Sequence, residues 1–224
     1  MKTSRILEIV IWMALFIPLF WLAMVWNQLP DNVPLHFDAQ GRADRIGSKI
    51  ELIWALCFLL GGMALVQLVI KHLPRIDPKQ KLKYSVGALQ KIRLGVSLFM
   101  GIIGCFVVQS AFGSAMGLID VLPFLLLIFI AFIGNYIVNV KPNYFVGIRT
   151  PWTLESESVW RKTHQVGGRV MFWASLIGLL PLIFIPGIYR VFAAMIVVFV
   201  AVIYPVIYSY RVYQQEKKAE GSPQ

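Results

Sequence analysis

The chain reads as an all-α integral membrane protein: a bundle of six transmembrane helices with a small ordered extracytoplasmic loop and a short cytoplasmic interfacial helix. Three observations predict this. Hydrophobic residues make up 58% of the chain and charged residues only 14%, with a mean hydropathy of +0.71, whereas soluble domains carry about a quarter charged residues. Six segments are apolar and long enough to cross a hydrocarbon core about 30 Å thick, which takes roughly 20 helical residues. The basic residues are also distributed unevenly between the loops that six spans would create.

The six spans fall at 6–26, 50–70, 94–112, 118–138, 170–186 and 191–210. The first is too long and lacks the small-residue cleavage site of a signal peptide, so it reads as a retained helix. The fifth is the weakest, because Pro181 and Pro186 interrupt it; proline inside a span needs neighbours to satisfy the freed carbonyl. The organisation that follows is an N-terminal two-span unit at 6–70 with an outer loop at 27–49, and a basic cytoplasmic loop at 71–93. A four-span unit at 94–210 carries a second loop at 139–169, and a polar tail fills 211–224, frayed from Gln214 onward.

Alternating loops between two sides puts 17 of the 21 basic residues on one side; only Arg42, Arg45, Lys49 and Arg190 fall on the other. That bias places both termini in the cytoplasm. It accounts for the net charge of +10 by topology and by anionic lipid, without direct nucleic-acid binding. Membrane lipids are then the constant partners. Cys57 and Cys105 fall within spans and read as small apolar residues, with no metal or disulfide spacing.

The outer loop alternates Val33, Leu35 and Phe37 with Pro34, His36 and Asp38, a short strand pattern. Turn chemistry follows from Asp38 to Gly41, and Gly47 precedes Ser48-Lys49. A small extended element and tight turn should lie over the helix ends. His36 and Asp38 share a strand face and Asp44 could approach, but two or three mixed ligands at this spacing read as a solvated loop and predict no metal.

The loop at 139–169 is the chain's most distinctive stretch. Asn143-Tyr144-Phe145-Val146-Gly147-Ile148-Arg149-Thr150-Pro151-Trp152-Thr153-Leu154 is a polar and aromatic island in a hydrocarbon-rich chain. Pro151 after Thr150 fits a first helical position behind a capping Thr, and Thr153 is an alternative cap. A short helix should run to about Gln165 and break at Gly167-Gly168 before the fifth span. Trp152 and Trp160 read as interface anchors. Arg149 offers a planar fork of donors suited to carboxylate or phosphate; the plainer alternative is an ion pair with Glu155 or Glu157. His164, four residues after Trp160, fits a packed or hydrogen-bonded pair.

Chemistry inside the membrane is sparse. Glu8, Glu51 and Asp120 sit near span ends, and mid-span polarity is limited to Gln67, Gln109 and Asn135, with Asn139 near a boundary. Gln67 and Gln109 fit interhelical hydrogen bonds. Asn135 and Asn139, four apart, share a helix face toward the island. The sequence contains no His-Glu-x-x-His, P-loop or Gly-x-Ser-x-Gly motif, so no catalytic residue and no cofactor is expected.

The island, with Val159-Trp160-Arg161-Lys162-Thr163-His164 and Gly167-Gly168, resembles the signature of the SdpI family, the sporulation-delay-toxin immunity proteins. The outer loop from Leu29-Pro30 through Val33-Pro34-Leu35-His36-Phe37, Gly41 and Gly47-Ser48-Lys49 resembles the domain of unknown function that often precedes it. The resemblance implies a bacterial inner-membrane immunity or signal-sensing protein that binds or neutralises a membrane-active peptide toxin, with a cytoplasmic transcriptional repressor, which the family's founding member sequesters, as a second partner and with no enzymatic activity. The alternatives are a small-solute or lipid transporter with Asn135 and Asn139 lining a cavity, and an enzyme acting on a lipid headgroup through Arg149 and His164. A central cavity would favour the first and a pocket joining Arg149 to His164 the second. The toxin, the repressor and the oligomeric state are not encoded in any pattern of the chain.

Overall fold

The computed structural model describes residues 5–38, 41–113 and 118–220. Six of its helices are long and apolar enough to cross a membrane. Helix α1 (Arg5–Val25) leads through a single 3-10 turn into a two-stranded antiparallel hairpin, β1 (Asn32–Phe37) and β2 (Ala43–Ser48). Then come α2 (Lys49–Ile76), α3 (Val86–Ser110), α4 (Leu118–Ile137), the short α5 (Pro151–Glu155), α6 (Glu157–Leu182) and α7 (Gly187–Glu220). The outward surfaces of the long helices are covered with exposed large apolar residues such as Phe20, Phe58, Ile177 and Phe199, as a lipid-facing bundle requires.

The helices sort into two groups. Helix α3 packs on α1 and α2, and α6 packs on α4 and α7, with α3 and α4 joining the groups. Small residues set the closest approaches. A Cβ at Gly101 would collide with the Ala14 carbonyl, and one at Gly104 would lie 2.6 Å from Pro18. Apolar side chains gain nothing by leaving lipid for protein, so close backbone contact supplies the association.

The hairpin caps one end of the bundle. Val33 is fully buried in a cluster with Leu22, Leu52, Leu56 and Val108. Gly41, at φ +76°, turns the chain, and its N–H bonds the Asp38 carbonyl at 3.0 Å. Ser48 then caps α2 reciprocally with Glu51, which also accepts from Arg45 at 2.8 Å.

Several boundaries differ from the sequence reading. The segment 71–93 is mostly helical, since α2 continues to Ile76 and α3 begins at Val86. The connection between them is organised by the buried Asp77, whose carboxylate accepts from the amides of Lys79, Lys81 and Leu82. Arg93, counted above as a loop charge, is buried in α3. Helix α6 runs unbroken through Gly167-Gly168: a Cβ at Gly168 would lie 2.5 Å from the Gly134 carbonyl oxygen, so the glycine serves packing against α4 rather than a bend. Helix α7 continues past Gln214 to Glu220, because Glu216 is held by Ser156, Ser158 and Lys162.

Candidate functional site

The loop between α4 and α6 is built from within by side chains that bond its own backbone. Asn143 is fully buried. Its Nδ2 donates to the carbonyls of Lys141 (2.8 Å) and Val146 (2.9 Å), and its Oδ1 accepts from the amides of Phe145 and Val146 (2.7 Å each). One carboxamide thus satisfies four backbone groups and fixes the turn, which an acceptor-only carboxylate could not do.

Gly147 follows with φ +120°, a region open only to glycine. A Cβ there would run into the His164 ring and lie 3.0 Å from the Trp160 ring. That close approach lets the Ile148 amide donate to His164 Nε2 at 3.0 Å. Across the ring, His164 Nδ1 meets the Trp160 carbonyl at 2.8 Å. One nitrogen must accept and the other donate, so His164 is held as the neutral Nδ1–H tautomer. Its ring stacks on Trp160 at 4.1 Å, and Trp160 Nε1 donates to the Val140 carbonyl at 2.8 Å. Both side chains are buried, and together they clamp the two arms of the loop.

The far arm ends in a reciprocal cap. Thr150 Oγ1 accepts from the Thr153 amide, Thr153 Oγ1 accepts from the Thr150 amide at 2.9 Å, and Pro151 occupies the first turn of α5. Thr150 is therefore the cap and Thr153 its partner. Trp152 points elsewhere: its Nε1 donates to Ser209 Oγ at 2.7 Å and its ring lies 5.1 Å from that of Tyr210 on α7.

What remains exposed is a narrow edge. Tyr144 is 45% and Phe145 37% exposed, and Arg149 is exposed beside them. Arg149 Nη1 donates to the Tyr144 carbonyl at 2.5 Å. Glu157, one suggested partner of Arg149, pairs instead with Lys81. Lys79 Nζ lies 5.1 Å over the Tyr144 ring and donates to the Leu154 carbonyl at 2.5 Å.

Asn143, Gly147, Thr150, Pro151, Thr153, Trp160 and His164 thus converge on one brace, and Tyr144 and Arg149 sit on its rim. Asn135, Asn139 and Gly168 do not join them; they belong to a separate cleft between α4 and α6. Pro34, His36, Phe37, Asp38, Gly41 and Gly47 lie in the hairpin at the opposite end. There His36 Nδ1 meets Asp44 Oδ1 at 2.6 Å, and no group of three or more metal-ligating side chains occurs among the described residues.

Two tethers escaped the sequence reading. Glu216 ties α7 to the start of α6, and Ser209 receives Trp152. Glu216 could have been suspected as the single carboxylate among basic and amide residues at 211–218; Ser209 carried no signal. A third omission is the polar group between α1, α2 and α3. Arg93 Nη1 and Nη2 donate to the two oxygens of Glu8 at 2.5 and 3.3 Å, and Arg93 Nε donates to Gln67 Oε1 at 3.1 Å. Gln67 returns a bond from Nε2 to the Arg93 carbonyl at 3.1 Å, fulfilling its interhelical role.

Comparison with known proteins finds two matched segments. Residues 139–209 match the SdpI/YfhL protein family, and residues 13–61 match the domain of unknown function DUF1648. The chain is 23% identical over 199 residues to the immunity protein SdpI of Bacillus subtilis (strain 168), covering 89% of this chain and 90% of that protein. No solved structure matches the chain.

Proposed function

We propose that this multi-pass membrane protein, which carries an SdpI/YfhL segment over residues 139–209, is an immunity protein of the SdpI type. It acts by binding rather than by chemistry. The observation that carries this reading is the expenditure of polar groups in the signature loop. Asn143, Thr150, Thr153 and both nitrogens of His164 are consumed in bonds to the backbone of the loop and of the helices that follow it. A general acid or base needs a nitrogen or oxygen within reach of substrate, and His164, 1% exposed, offers none. Rigid support beneath an exposed Tyr144–Phe145–Arg149 edge suits recognition of a partner, because pre-ordered groups lose little freedom on docking.

The hairpin end of the bundle meets the toxin in this reading, and the signature end presents its edge to a cytoplasmic partner such as a repressor. The hairpin packs on α2, and α2 connects through α3 and α4 to α6. The test is survival: a toxin-sensitive host expressing the protein is challenged with the secreted sporulation-delay peptide. Protection is expected at protein levels verified by immunoblot. Normal accumulation without protection would sink the immunity role for this chain.

A further inference from the structure

We propose that the cleft between α4 and α6 is a binding site for the phosphate headgroup of an anionic phospholipid. The cleft holds about 350 Å³ and is open at its side. Its floor is the glycine crossing, where a Cβ on Gly134 would lie 2.7 Å from the Gly168 carbonyl oxygen. Removing both side chains at this level leaves a notch between otherwise packed helices. Asn135 lines it from α4 and Asn139 from the turn that follows, and Gln165, Arg169 and Trp173 line it from α6.

The chemistry of that lining is one-sided. It carries one guanidinium, three carboxamides and no carboxylate. Asn135, Asn139, Gln165 and Arg169 are all exposed. Arg169 enters no ion pair among the described residues, although eight others form there. Polar side chains on the bilayer-facing surface of a span are costly without partners. A phosphodiester supplies acceptors for all four at once, and the planar fork of Arg169 suits its oxygens.

The surroundings select a lipid over a soluble anion. Gln165, Arg169 and Trp173 recur every four residues along one stripe of α6, and the stripe turns apolar beyond Trp173. Trp173 is 59%, Ile177 64% and Leu180 63% exposed. A headgroup seated on Arg169 therefore has a continuous apolar track for its acyl chain, with Trp173 at the junction, where indole rings favour the interface. A free phosphate would use the first part of the site and leave the second empty.

The experiment uses the full-length protein in detergent, with native mass spectrometry of retained dioleoyl-phosphatidylglycerol against dioleoyl-phosphatidylcholine. The wild type should retain phosphatidylglycerol preferentially. Arg169→Gln should lower that preference about five- to tenfold, the worth of one interfacial cation. Arg75→Gln, which removes a charge from the exposed end of α2, should leave it unchanged. Equal retention in Arg169→Gln and wild type, or equal loss in Arg75→Gln, would overturn the site. Competition by millimolar inorganic phosphate would overturn the lipid assignment. A measurement on the wild type alone guards against misfolded variants: phosphatidylglycerol with a photoreactive acyl chain should label α6 at Trp173–Ile177, and labelling confined to other helices rejects the proposal.

Discussion

Arg93 on α3 grips Glu8 on α1 with both terminal nitrogens, at 2.5 and 3.3 Å, and is itself only 2% exposed. Lys71 on α2 reaches the same carboxylate at 3.1 Å. The group is asymmetric. Removing Arg93 leaves Glu8 with Lys71, whereas neutralising Glu8 leaves a buried guanidinium with only Gln67. An unpaired buried charge costs about 3–5 kcal/mol. Glu8→Gln should therefore lower the melting temperature in detergent more than Arg93→Met, and the double variant should recover most of the loss. Equal effects of the two single changes would show that Arg93 is hydrated rather than dependent on Glu8.

Gly147 and Gly41 both have positive φ, at +120° and +76°, but their surroundings differ. A Cβ on Gly41 meets nothing within 4 Å, while one on Gly147 meets His164 and Trp160. Gly41→Ala should cost about 1–2 kcal/mol, the backbone term alone. Gly147→Ala adds displacement of the clamp and should cost about 2–5 kcal/mol. Thermal unfolding of the two variants side by side checks the order. A Gly147→Ala protein as stable as Gly41→Ala would mean that the clamp yields easily.

Asn143→Asp changes one atom and reverses two hydrogen bonds. Nδ2 donates to the carbonyls of Lys141 and Val146; an ionised carboxylate would face both oxygens without a proton to offer. A loss of about 3 kcal/mol is expected, from two orphaned carbonyls and a buried charge. Accumulation of Asn143→Asp should fall well below that of Tyr144→Ala, a change on the exposed edge. Wild-type stability for Asn143→Asp would mean that the turn is held from elsewhere.

The parts of this protein written in local patterns were legible before any coordinates. Hydropathy marked the spans, Val33-Leu35-Phe37 marked β1, and Thr150-Pro151 marked the start of α5. What escaped depended on pairs distant in sequence. Gly167-Gly168 looks like a break until Gly134 is brought against it. Arg93 looks like a loop cation until Glu8, 85 residues away, supplies its counter-charge. The candidate residues stand out in the sequence by composition, but not their partition: the same motif contains buried braces, an exposed edge and, with Asn135 and Asn139, the wall of a different cleft.

Orientation can be checked independently of function. The bias of 17 basic residues among 21 predicts the hairpin outside and both termini inside. A reporter active only in the periplasm should be silent when fused after Gln224 and active when inserted in the hairpin turn before Gly41. The opposite pattern would invert the assignment and move the Tyr144–Phe145–Arg149 edge to the outer face.

Arg149 tests whether that edge is a docking surface. Among the described residues its one internal bond runs from Nη1 to the Tyr144 carbonyl, and a guanidinium has five N–H donors, so most of its capacity is left for a partner. A loop brace of this kind is weak, because exposed polar contacts contribute about 0–1 kcal/mol. Arg149→Lys and Arg149→Ala should both insert, accumulate and melt as the wild type does. Protection should nevertheless be lost in both, since a Lys ammonium lacks the planar fork that grips a carboxylate or phosphate through two bonds. Survival under toxin challenge, normalised to protein abundance, separates the possibilities. Full protection by Arg149→Lys with loss in Arg149→Ala would reduce the requirement to a positive charge. Full protection by Arg149→Ala would remove the residue from the site and leave Tyr144 and Phe145 as the edge to be tested.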